Sequence, residues 1–123
     1  MKRTLKAAGE FDYDFEHDIL FFKTKEREYD RSIELDGIVI DIDKEDYIVG
    51  IQIFDASAFL NISKGNLLSV PKWGFRATLH DNRLEVRLVF QLKIRNKIVE
   101  KEPIIIQQMT GHLRDSEMTA VPA

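Results

Sequence analysis

The densest run of chemistry-bearing side chains is Asp41-x-Asp43-x-Glu45-Asp46. Carboxylates at alternate positions open a calcium loop, and an EF-hand then needs Gly at the sixth position and Glu at the twelfth. Counted from Asp41, those positions hold Asp46 and Gln52, so the run reads as a solvated acidic turn. His17, His80 and His112 have no second His at metal-ligand spacing, and the chain has no Cys. Asp12 and Asp14 share one face of an alternating segment, where a carboxylate pair could act as acid and base. Alternating acids on a half-buried strand are also its ordinary solvent face. There is no Gly-x-Ser-x-Gly and no glycine-rich phosphate loop. These residues assign no catalytic group, metal or cofactor, and the expectation is a protein that is not an enzyme.

The other suggestive constellation is basic. Arg83, Arg87, Lys93 and Arg95 are expected on one face of one strand, with Arg76 opposite Arg87 across a turn at Asp81-Asn82. Like charges directly opposed destabilise a sheet unless something negative lies between them. Three sources of negative charge are available: the acidic half of the chain, a second subunit, or nucleic-acid phosphate. Glu85, Glu100 and Glu102 dilute the patch, and no aromatic residue interleaves it for base stacking. An intramolecular or intersubunit partner is favoured over nucleic acid.

The elements that must position these groups follow from 123 residues, 44% hydrophobic and 32% charged. That length suits one domain, residues 1–123. The net charge of −3 is uneven. Residues 1–62 hold 8 basic and 15 acidic groups, net −7, and residues 63–123 hold 10 and 6, net +4. The two halves are expected to attract each other within one fold or across a homodimer. The longest apolar runs, such as Ile104-Ile105-Ile106, fall far short of the ~20 residues of a membrane span. The basic start, Met1 to Ala8, lacks the apolar core of a secretory signal. Cysteine-free composition suits the cytoplasm.

The apolar residues recur at a period of two. Residues 1–9 read as a loose arm. Phe11, Tyr13 and Phe15 alternate with acids, and a two-residue turn at His17-Asp18 pairs Phe15 with Leu20. Asp36-Gly37 predicts a type I′ turn pairing Leu35 with Ile38 and Ile33 with Ile40. Residues 47–54 are apolar on both faces, with Tyr47, Val49, Ile51 and Ile53 on one, so they form a central strand; Gly50 admits a close neighbour. A short helix near residues 56–64 begins at Asp55 or Ser57, ends at Gly65, and turns Phe59, Leu60 and Ile62 to the sheet. A second meander spans residues 66–108, with turns at Asp81-Asn82 and Asn96-Lys97, the latter pairing Ile94 with Val99. Pro103 implies an edge or a bulge. Residues 109–123 read as a flexible tail.

One ordered set of pieces carries a resemblance. Tyr13-Asp14, Asp18, Ile19-Leu20-Phe21, Leu35-Asp36-Gly37-Ile38-Val39-Ile40-Asp41 and Ile48-Val49-Gly50-Ile51-Gln52-Ile53-Phe54-Asp55-Ala56-Ser57 resemble the prokaryotic family catalogued as domain of unknown function 2283, over about residues 11–62. The resemblance implies a compact β-rich domain with no established activity, and it suggests an antitoxin-like or other binding role. The matching residues also have structural explanations in turn, helix start and core. The expected fold is therefore mainly β (α+β), about eight antiparallel strands in two meanders with one short helix. Exposed sheet edges predict a self-associating interaction module, a homodimer, with a partner protein or nucleic acid as alternatives, a small-molecule or metal-binding protein as a second alternative, and no membrane.

Overall fold

The structure, a computed structural model, describes residues 4–122. The first meander is β1 (Thr4–Asp14), β2 (Ile19–Thr24), β3 (Arg31–Glu34), β4 (Ile38–Ile42) and β5 (Ile48–Ile53). Two helices follow, α1 (Ala56–Leu60) and α2 (Lys64–Leu68). The second meander is β6 (Trp73–His80), β7 (Arg83–Ile94), β8 (Lys97–Lys101) and β9 (Ile104–Gln108), and β10 (Asp115–Pro122) closes the chain. All ten strands join one mixed sheet in the order β3-β4-β5-β2-β1-β10-β6-β7-β8, with β9 also paired to β7.

The mainly β class is as expected, but ten strands replace eight and one pair is parallel. Thr4 to Phe11 pairs in parallel with Asp115 to Pro122, and β10 pairs antiparallel with β6 on its other side. The expected loose arm is therefore strand from Thr4 onward, while residues 1–3 lie outside the described residues. The expected flexible tail is a central strand from Asp115. Its inward residues are Ser116, Met118 and Ala120, all buried. Only Met118 among them is a large apolar side chain, which is why alternation there escapes a reading based on such residues.

The sheet curls over its own core. Strands lie about 4.8 Å apart, so β2 and β6, three steps apart, would be separated by about 14 Å in a flat sheet. Yet the Phe22 ring on β2 stands 5.5 Å from Trp73 and 5.9 Å from Phe75, both on β6. Trp73 also stacks at 4.2 Å on Phe90 and meets Phe11 edge-on. Its indole Nε1 is buried without a hydrogen-bond partner. An unmade hydrogen bond costs about 1–3 kcal/mol. Burying the ring contributes about 4–6 kcal/mol by area, so apolar burial wins.

Turn positions decide which side chains enter this core. The β1–β2 register pairs Tyr13 with Leu20 and Phe11 with Phe22, two residues from the expected one. A four-residue turn replaces His17-Asp18, with Asp18 at φ 57°. The faces are preserved, because the shift is even, but Phe11 is buried and Phe15 is 50% exposed. The Asp36-Gly37 hairpin has the expected register, and Leu35 N donates to Ile38 O. Only Gly37 of that pair has positive φ, 81°, the type II sign pattern rather than type I′. Asp81 and Asn82 both have positive φ, as type I′ requires. The next turn is Arg95-Asn96, not Asn96-Lys97, which puts Asn at the second left-handed position and pairs Leu92 with Val99.

β5 is central and covered on both faces. A bulge opposite Asp41 and Ile42 reverses its phase, so Ile48, not Val49 and Tyr47, joins Ile51 and Ile53 in the core. Gly50 leaves room for the Asp41 carboxylate, whose Oδ2 lies 2.8 Å from where a Cβ would stand. The single helix over residues 56–64 is two helices. Asn61 at φ 55° ends α1, and Gly65 lies inside α2. Leu60 is buried as expected, whereas Phe59 is 38% exposed and lies against Gly37. Pro103 sits on an edge: β8 and β9 continue one register on β7, interrupted where proline has no N–H to give.

Because β10 is central, Met118→Ala is expected to destabilise the protein by about 2–5 kcal/mol, the range for emptying a buried side chain. Denaturant unfolding followed by Trp73 emission measures this; a frayed tail would give no change.

Candidate functional site

The residues that carried the family resemblance converge in space. Tyr13 ends β1, Asp18 closes the turn that follows, and Ser57 lies in the first turn of α1. Tyr13 Oη donates to Asp18 Oδ1 at 2.5 Å. Ser57 Oγ donates to Asp18 Oδ2 at 2.6 Å, and Ser57 N lies 3.0 and 3.3 Å from the two carboxylate oxygens. Ala56 N donates to the Asp18 carbonyl at 2.9 Å. Asp18 is thus the cap of α1. Asp55, an expected cap, sits at φ 49° and its side chain accepts nothing from the helix. Ser57 is a donor to the capping group rather than the cap itself. A capping carboxylate supplied 39 residues away leaves no local sequence signal.

This geometry commits Asp18 to acceptor work. Burial alone would push its carboxyl up, but hydrogen bonds from Ser57 and Tyr13 outweigh that and hold it below the ordinary carboxylate value. Burial, then the hydrogen bond to Asp18, pushes the Tyr13 hydroxyl above its ordinary value. A nucleophilic serine needs a base that takes its proton. Here the Ser57 proton points to a carboxylate kept weakly basic by three other donor contacts. Lys64 borders the cluster, its Nζ 3.3 Å from the Phe15 carbonyl and 5.4 Å from the Phe15 ring centre.

The acidic turn at Asp41 to Asp46 forms a second cluster. Asp43 is buried; its Oδ1 accepts from Glu45 N and Tyr47 N, and its Oδ2 from Arg27 Nε at 2.6 Å. Asp46 pairs with Arg31 at 2.9 Å, and Asp41 accepts from Ser32. Arg27 and Arg114 lie 5.1 and 5.6 Å from the Tyr47 ring centre. The hydrogen bond to Asp43 holds the Arg27 guanidinium even more firmly charged. Its role is invisible in a sequence segment that reads only as a solvated connection. Asp43 and Glu45 share Arg27 while Asp41 and Asp46 turn to Ser32 and Arg31, and no group of three or more His, Asp or Glu residues among the described ones could hold a metal ion.

On β6 and β7, Arg76 does lie opposite Arg87. The negative charge beside each comes from the basic half itself: Glu117 on β10, across β6 from β7, is 3.2 Å from Arg76, and Glu85 on β7 is 3.4 Å from Arg87. Arg83 and Lys93 belong to β7, but Arg95 is a turn residue at φ 49° and leaves the strand face. Hollows of about 230 and 930 Å³ lie along this face, sharing Thr78 and Glu85. No helix among the described residues is long and apolar enough to cross a membrane.

Asp18→Ala is expected to cost about 1–3 kcal/mol, from the lost cap and the orphaned Tyr13 hydroxyl. The folded Asp18 value is lowered, so its contribution is complete above the ordinary value of 3.8 and is lost as pH falls through the folded value. Urea midpoints between pH 2 and 6 should therefore drop less steeply for Asp18→Asn than for the unchanged chain.

Residues 10–57 match the family model described as "Protein of unknown function (DUF2283)", a stretch holding Tyr13, Asp18, Asp36, Gly37, Gly50, Asp55 and Ser57. A Methanosarcina mazei protein named "Putative hypoxanthine phosphoribosyltransferase" is 36% identical over 99 residues, covering 80% of each chain. An uncharacterized protein of Methanocaldococcus jannaschii is 29% identical over 108 residues, covering 87% of this chain and 93% of its own. No solved structure matches. With the Tyr13–Asp18–Ser57 junction inside the matched stretch and the M. mazei relative aligned across most of both chains, the protein belongs to the family of unknown function DUF2283.

Proposed function

We propose that this protein is a non-catalytic, β-rich interaction module of the cytoplasm that associates with itself. The observation that supports this reading is the open edge formed by β8 and β9. There Ile98, Ile104 and Ile106 are 72%, 47% and 55% exposed beside unpaired backbone groups. An exposed apolar edge strand is a template for pairing with another chain. An antitoxin-like partner would use the same edge by strand addition.

The name of the M. mazei relative brings a competing reading, purine phosphoribosyl transfer. Such a reaction must gather free amides and cations around a diphosphate. Here both helices are five residues long. First-turn amides are already engaged, Ser57 N by Asp18 and Asn66 N by Ser63. The basic face offers nucleic acid two arginines that are already paired with Glu117 and Glu85.

Light scattering across a concentration series should show mass rising above one chain, and a monomer that also captures no neighbouring gene product would overturn the reading. Hypoxanthine with phosphoribosyl diphosphate and magnesium should yield no inosinate above the protein-free rate. A low-salt gel shift should show no DNA or RNA retardation, since phosphate contacts are strongest there.

A further inference from the structure

We propose that β9 is the interface of a two-fold dimer, pairing antiparallel with β9 of a second copy about a centre at Ile105. The inference rests on the self-association reading and names its surface and register.

Backbone direction fixes what the edge offers. Leu88 N donates to Pro103 O, and Met109 N donates to Asn82 O. In an antiparallel ladder alternate residues turn both polar groups to the same neighbour. Pro103, Ile105, Gln107 and Met109 therefore address the protomer's own β6–β7 hairpin. Ile104, Ile106 and Gln108 present N–H and C=O to the open side.

A self-pairing must match outward-facing residues with one another. Centred on Ile105, the ladder joins Ile104 to Ile106 of the second copy, and Ile106 to its Ile104, so both hydrogen-bonded pairs are Ile on Ile. The next pair is Glu102 with Gln108, which opposes no like charges. Centring on Ile104 instead places Ile106 opposite Glu102. Centring β8 on Val99 places Lys97 opposite Lys101, which is repulsive. Within each protomer Ile106 lies beside Glu85 and Ile104 beside Arg87. Each row of the joined sheet then carries one acid and one base flanking two isoleucines. The other edge, β3, bears Arg31 and Glu34, the charges that ordinarily guard an edge. β9 carries none.

A five-residue ladder buries less than the ~1,200 Å² of a stable interface, so association should be weak and concentration-dependent. The Cys-free chain allows a direct test with single cysteines. Opposed residues at a non-hydrogen-bonded pair have Cα atoms about 4.5 Å apart, within disulfide reach. Ile105→Cys should form a covalent dimer on mild oxidation, while the more exposed Ile98→Cys should stay monomeric. Ile106→Lys, a surface change that spares the core, should weaken association about tenfold or more by striking both Ile pairs; Ile98→Lys should not. Equal cross-linking of Ile98→Cys and Ile105→Cys, or association unaffected by Ile106→Lys, would overturn this interface while leaving self-association standing. A wild-type monomer at every concentration would remove both.

Discussion

The fold depends on one parallel pairing, β1 against β10. Every other ladder joins strands whose turns are local or whose segments belong to one half of the chain. This pair joins residues 4–11 to residues 115–122, almost the full length of the polypeptide. Without it the sheet would split, and β1 and β10 would become edges. The loop it closes is long, but closure entropy grows only as the logarithm of length, about 0.6 kcal/mol per doubling. The pairing is therefore thermodynamically cheap and kinetically late, since non-local strands are slow to find each other. Aromatic packing makes the closure worthwhile. Trp73 lies against Phe11 and Phe22 from one half and Phe90 from the other.

The seam also explains its own composition. Met118 fills the space above Gly9, where a Cβ would collide with its side chain and with Lys23 O. Ala77 and Ala120 are buried nearby. Small residues let the sheet bend enough for β2 and β6 to touch. Hence the two terminal segments are low in large apolar side chains even though the fold rests on them. Alternation, hairpin turns and the central placement of β5 are legible in sequence because Ile, Val and Phe mark them. The arm at 4–9 and the tail at 115–122 are not, because there steric fit replaces hydrophobic content.

The same distinction governs the candidate site. The family-like residues could be picked out as an ordered set, and each had a local explanation. Their convergence could not be read, because Asp18 reaches Ser57 across 39 positions. The local explanation at Asp55 was the wrong one: helix-cap chemistry was needed there, but the carboxylate arrives from another turn. Tyr13, Asp18 and Ser57 therefore tie the β1–β2 turn to α1 and fix how the helices leave β5. A matched motif of this kind marks a way of folding at least as much as a way of reacting.

Charge gives the last step. The halves carry −7 and +4, yet every ion pair among the described residues joins partners from the same half, as in Arg27–Asp43 and Arg76–Glu117. The halves meet instead mostly through neutral groups, Ile48 N on Ser116 Oγ, Arg114 N on Asp46 O and Gln107 Nε2 on Asp36 O, while the charged Lys64 Nζ reaches the Phe15 carbonyl rather than a carboxylate. Charge asymmetry is thus not what holds the halves together; hydrogen bonding and apolar packing do. It survives as a difference between the two edges. Charged Arg31 and Glu34 lie on the acidic half's edge, and uncharged Ile104 to Gln108 lie on the basic half's. A sheet that guards one edge and leaves the β9 part of the other uncharged has a direction in which it can grow. An isologous pairing would consume the same edge on both copies, so growth by that route would stop at two.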